Sequence, residues 1–219
     1  MSASFTDLLS GVQEYQQWGY NALTFGFLST VVLTLWLQLP GELAQLKTLW
    51  SATSADGVDT TLIIILLGYF GIFLIYGIDV GSGGSLFNAL VLGPWFFIIL
   101  WRLWRIRGFT FGEWLVLCLW MLAVVADVIL PWKAYFYMGA SIVAFSGPLK
   151  QIKTMKEKGT SAGFNPRFAL MWGIVCVFWI FYGLALKDLF IAGTALVFGA
   201  LYVQTYRLAV RLDPCRIKC

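Results

Sequence analysis

Seven continuous apolar runs, at 18–39, 60–78, 84–101, 114–131, 134–149, 168–186 and 189–206, constrain this chain more than any other feature. Each is close to the roughly 20 residues that an α-helix needs to cross a bilayer. None alternates polar and apolar positions as the strands of a membrane barrel must. Charged residues make up only 12% of the 219 residues and apolar ones 60%, too little charge to cover a water-soluble globule of this size. The excess apolar surface must therefore meet lipid.

The same sequence narrows the chemistry. It contains no histidine, so the usual near-neutral proton shuttle and the commonest metal ligand are both missing. Of the four cysteines, Cys118 and Cys176 sit in apolar runs and Cys215 and Cys219 in the tail, without C-x-x-C spacing. No catalytic residue, metal or cofactor is expected. Lipidation of Cys215 or Cys219 stays open. Residues 1–17 carry Asp7 and Glu14 but no Lys or Arg, unlike the basic start of a cleaved signal, so the first span is expected to direct insertion.

Seven crossings put Lys47, Arg102, Arg105, Arg107, Lys150, Lys153, Lys156, Lys158, Arg167, Arg207, Arg211, Arg216 and Lys218 on one side, leaving only Lys133 and Lys187 on the other. The positive-inside rule makes the rich side cytosolic, with the N-terminus outside and the C-terminus inside. The net charge of +4 then reflects topology, and a nucleic-acid partner loses its support.

A shift of 106 residues lays Gln45, Lys47 and Thr48 on Gln151, Lys153 and Thr154, Gly57 on Gly163, Tyr76-Gly77 on Tyr182-Gly183 and Gly93 on Gly199 without a gap. It also pairs Ser54 with Thr160, Asp59 with Asn165 and Phe73 with Trp179. This is the signature of a duplication. Three spans fall in each copy, and one additional crossing between them restores the second copy to the orientation of the first. The expected fold is an all-α integral membrane protein of seven transmembrane helices, two parallel three-helix repeats joined by an inversion helix (3+1+3). Its parts are an extracytosolic segment (1–17), the first repeat (18–107), the linker helix (108–133), the second repeat (134–208) and a cytosolic tail (209–219).

Parallel repeats place a solute site at their interface near the midplane. Asn88, an amide inside an apolar run, must face the bundle interior, and Thr194 is its counterpart in the second copy. Phe73 and Tyr76, like Trp179 and Tyr182, are three residues apart and share a helix face. Aromatic walls with a few amides and hydroxyls suit a polyol. Gly77 and Gly183 permit close helix approach, and Pro40 and Pro148 are candidate hinges or simple helix ends.

The runs Gly147-Pro148…Gln151-Ile152…Lys158 to Phe164, Trp179…Tyr182-Gly183 and Asp188-Leu189-Phe190-Ile191 resemble the SWEET sugar facilitators and the wider PQ-loop (MtN3/saliva) superfamily. The resemblance covers nearly the whole chain, although no Pro-Gln dipeptide is present. It implies a multi-pass facilitator that moves a small neutral solute, first a mono- or disaccharide, by alternating access. Its partners would be solute and lipid bilayer, with homo-oligomers admitted. The alternatives are a proton-coupled PQ-loop amino-acid exporter, for which Asp127 is the candidate carboxylate, and a non-transporting membrane sorting receptor of the same fold.

Overall fold

A computed structural model describes residues 11–52 and 55–212. Cys215, Cys219, Arg216 and Lys218 lie outside the described residues. Among those described, every regular element is helical: α1 (Gln13–Gln16), α2 (Ala22–Ser51), α3 (Thr60–Asp79), α4 (Gly83–Arg107), α5 (Phe111–Ile129), α6 (Lys133–Ala144), α7 (Ser146–Lys158), α8 (Pro166–Ala185) and α9 (Leu189–Leu212). Side-chain caps set most of the starts. Asn21, Asp59, Ser82 and Asn165 each accept a backbone N–H of the first turn, and Thr110 with Glu113 forms a reciprocal capping box.

Six of these helices, α2 to α5, α8 and α9, are long and apolar enough to cross a membrane. The fifth expected span, 134–149, takes a different form. It divides at Phe145 into α6 and α7, because Pro148 has no N–H to offer the carbonyl of Ala144 one turn back. Helical structure also continues to Lys158, through the polar sequence Lys150 to Lys158. The first span likewise runs beyond its apolar stretch. Helix continues past 39 to Ser51, with a π-helical turn at Thr34–Gln38. That wider turn lies immediately before Pro40 and absorbs the residue whose ring would otherwise strike the preceding carbonyl. Pro40 is thus internal to a helix and does not end it.

Packing is reciprocal along the chain. α2 lies against α4 and α8, while α7 lies against α9, and α6 and α7 both lie against α3. α3 pairs with α4 and α8 with α9. Both expected glycines sit at such contacts. A Cβ on Gly77 would lie 2.9 Å from Cβ of Ser85, and one on Gly183 2.6 Å from the backbone nitrogen of Ala192. The linker α5 stays at the periphery and docks on α3, where Gly68 and Gly71 receive Trp120 and Val124. Large apolar side chains such as Phe25, Trp36 and Ile129 remain exposed on the outer helix faces, where water would be unfavourable and acyl chains are not.

Candidate functional site

A cavity of about 50 Å³ lies between the copies, and four of the six residues singled out from the sequence, Asn88, Thr194, Phe73 and Trp179, line it. Gln38, Tyr69, Tyr137, Trp172 and Tyr202 complete its polar and amphipathic wall. Asn88 is buried, and its Nδ2 donates to Gln38 Oε1 at 2.6 Å and Thr34 Oγ1 at 2.8 Å. The amide thus ties α4 to the π-turn of α2. Its donors are engaged in this conformation, so meeting a solute requires exchange of these bonds.

Rings form the rest of the wall. Phe73 stacks on Tyr69 with centroids 5.8 Å apart and meets Trp179 edge-on at 5.5 Å. The hydroxyls of Tyr69 and Tyr137 are 3.0 Å apart. Apolar faces with scattered hydroxyl, indole and amide edges can stack a ring and bond its periphery. A larger concavity of about 730 Å³ lies between α5 and α6, but Ile72, Val116, Leu119 and other apolar groups dominate it. It has no convergent polar groups with which to orient a polar solute.

Tyr76 and Tyr182 occupy equivalent places outside the cavity. Tyr76 stacks on Tyr137 at 4.3 Å and donates its hydroxyl to Asp188 Oδ2 at 2.6 Å. The Tyr182 hydroxyl lies 2.8 Å from Ser82 Oγ and donates to Glu14. Residues 82 and 188 are themselves 106 apart, so the two bonds are copies of one another. Glu14 also accepts Gly83 N–H at 3.0 Å, binding α1 to the start of α4.

A second pair of equivalent bonds joins the segments at the other ends of these helices. Gln45 Nε2 donates to the Gly163 carbonyl at 2.8 Å, and Gln45 Oε1 accepts Asn165 N–H at 2.7 Å. Gln151 Nε2 donates to the Gly57 carbonyl at 2.5 Å, and Gln151 Oε1 accepts Asp59 N–H at 2.8 Å. Thr154 with Asp59 and Thr48 with Asn165 repeat the exchange. In every case residue i of one copy bonds residue j of the other while the equivalent j bonds the equivalent i. That is the pattern of a twofold contact.

Sequence reasoning missed Gln38, Thr34, Tyr69, Tyr137, Trp172 and Tyr202. The rule that found Asn88, a polar group within hydrocarbon, applies equally to Thr34 and Gln38, one turn apart on α2. Gln38 stands one residue from the end of the first apolar run, where a polar side chain is ordinarily met by water or lipid headgroups. Tyr69 is four residues before Phe73 and shares its face. Among so many aromatic residues, spacing alone did not separate it from lipid-facing packing.

Six helices long and apolar enough to cross a membrane, packed about a small cavity, define a multi-pass helical membrane protein. Residues 134–209 match the family model described as sugar efflux transporter for intercellular exchange. The fold matches the structure of a eukaryotic SWEET transporter with a TM-score of 0.57 and 19% identity, over 88% of this chain and 97% of that one. No curated protein sequence matches the chain. The matched family is a class of transporters, not of enzymes. The resemblance to the SWEET and PQ-loop superfamily accordingly stands on both a sequence model and a fold.

Proposed function

We propose that this protein is a facilitator that carries a small neutral polar solute, first of all a sugar, down its gradient by alternating access. In this reading 18–107 and 134–208 are like-oriented three-helix repeats, the helix in 108–133 is the inversion crossing, and α6 with α7 completes the seventh passage. The N-terminus is extracytosolic and the C-terminus cytosolic. Asn88, Thr194, Phe73 and Trp179 contact the solute. Tyr76 and Tyr182 close the outer side, and Gly77, Gly183, Pro40 and Pro148 let the helices move.

The observation that carries the reading is the pairing of duplicated bonds beyond the cavity, at Tyr76–Asp188 and Tyr182–Ser82 on one side and at Gln45 and Gln151 on the other. At about 50 Å³ it holds one or two waters, far less than the ~300–1,000 Å³ of small-molecule sites. Solute entry then requires one pair of bonds to open while the other holds, which is alternating access stated in hydrogen bonds. The description of the matching family adds sugar as the first solute class.

The test is uptake of radiolabelled glucose and sucrose into proteoliposomes, with and without a pH gradient. Uptake of at least one sugar that does not need the gradient, reduced about tenfold or more by Asn88→Ala and by Trp179→Ala, is expected. No uptake of either sugar, combined with acid-driven amino-acid uptake abolished by Asp127→Asn, would replace this reading with the proton-coupled exporter. Asp127 keeps that rival specific, since both its oxygens are buried without a hydrogen-bond partner among the described residues.

A further inference from the structure

One face of α2 carries a buried polar stripe, Thr30, Thr34, Gln38, Glu42 and Gln45, extending about 22 Å along the helix at 1.5 Å per residue. Four members have partners. Thr30 donates to the Phe27 carbonyl, Thr34 and Gln38 bond each other and Asn88, and Gln45 bonds Gly163 and Asn165. Glu42 is the exception. It has no exposed surface, and neither carboxyl oxygen has a hydrogen-bond partner among the described residues.

Its surroundings determine what it can bind. From α8, Met171 and Phe168 pack against the adjacent Gly41, which makes that wall apolar. From α9, the titratable group nearest in kind is the Tyr202 phenol, buried and itself without a hydrogen-bond partner among the described residues, and from α8 it is the buried thiol of Cys176. From α4, Arg102 is held by the carbonyls of Leu49 and Trp50, about two turns further along α2. A metal ion requires several oxygens around it, and no metal-binding cluster is present among the described residues. A proton needs only the carboxyl itself.

We propose that Glu42 is a proton-binding site that must be filled for the protein to close over its solute cavity. This inference rests on the alternating-access reading and adds its control. In the closed form a carboxylate at this position is wholly buried, with neither an ion-pair nor a hydrogen-bond partner among the described residues, the costly case for a membrane interior, whereas the neutral acid is tolerated. When the Gln45–Gly163 and Gln151–Gly57 bonds open, water arrives one turn away and the carboxylate is solvated. Closure therefore takes up a proton and opening toward that side releases it. Exchange slows as the medium becomes alkaline and quickens as it becomes acidic.

Two measurements on the full chain in phosphatidylcholine liposomes test this. Infrared spectroscopy at neutral pH should show the carbonyl stretch of a protonated carboxylic acid in the unsubstituted protein and in Asp127→Asn, where the other buried, unpartnered carboxyl is removed, and lose that band when Glu42→Gln is added to Asp127→Asn. The band in the unsubstituted protein needs no variant, so its absence overturns the proposal even where a substitution misfolds. Counterflow of radiolabelled glucose should rise about tenfold or more from mildly alkaline to mildly acidic buffer and be flat in Glu42→Gln. A band that survives Glu42→Gln in the Asp127→Asn background, or a pH dependence that survives Glu42→Gln, also overturns it. Absence of glucose flux in all forms would instead count against the transport reading, while the infrared result still decides whether Glu42 carries the proton.

Discussion

At the scale of single residues, Gly183 and Asn88 give the sharpest expectations. A methyl group on Gly183 would lie 2.6 Å from the backbone nitrogen of Ala192, where no flexible side chain can yield, so α8 and α9 must part. Gly183→Ala is expected to lower stability by about 1–3 kcal/mol, read as a fall in the thermal midpoint in detergent. Asn88→Leu leaves Gln38 Oε1 without its amide donor and Thr34 Oγ1 without one of its partners. Its expected cost is again about 1–3 kcal/mol. Repeating the measurement with Gln38→Leu combined should recover part of that loss, because both ends of the bond are then absent. Asn88 was legible because an amide has no place in hydrocarbon without a partner, and that rule points inward without saying to what. Its actual partners come from a helix 50 residues earlier, and sequence spacing within one helix cannot indicate them. In the sequence Glu42 is a carboxylate three residues past the end of the first apolar run, and nothing local marks it as enclosed. Its enclosure depends on side chains of α8 and α9.

Among elements, the two first helices of the copies show how proline acts differently by context. Pro40 follows a π-turn inside a continuous helix, whereas Pro148 sits in the first turn of α7 and leaves a break at Phe145. The apolar runs marked only part of these helices, because helical structure persists into the polar segments 40–51 and 149–158, which the apolar pattern cannot register. Boundaries were lost there for that reason. The glutamines at the ends of these helices allow a symmetric test. Gln45→Leu and Gln151→Leu each deprive one glycine carbonyl and one backbone N–H of a partner. The two variants are expected to lower stability by similar amounts, about 1–3 kcal/mol each. Unequal losses in thermal unfolding, with one near zero, would show that the two ends of the closure are not equivalent.

For the whole molecule, the duplication was the most legible feature, because identities at one shift do not depend on knowing the packing. Its register, 106 residues, is that of the equivalent bonds at both ends of the cavity. What the register could not supply was the state of the protein: that both ends are bonded at once is a property of side chains across the interface. Orientation is a separate question, resting on the basic residues. A membrane-impermeant thiol reagent applied to intact cells is expected to leave a cysteine placed at position 108 unmodified and to modify one placed at position 132, since those loops fall on opposite faces in the proposed topology.

The exchange of first helices between halves has a consequence for assembly. α2 rests on α8, and α6 with α7 rests on α3, so neither half completes its own inner surface. Polypeptides ending after α4 and beginning before α5, made separately in the same membrane, would each expose a vacant berth shaped for the other. They should recombine into one working unit without a covalent link, and neither fragment should be long-lived alone.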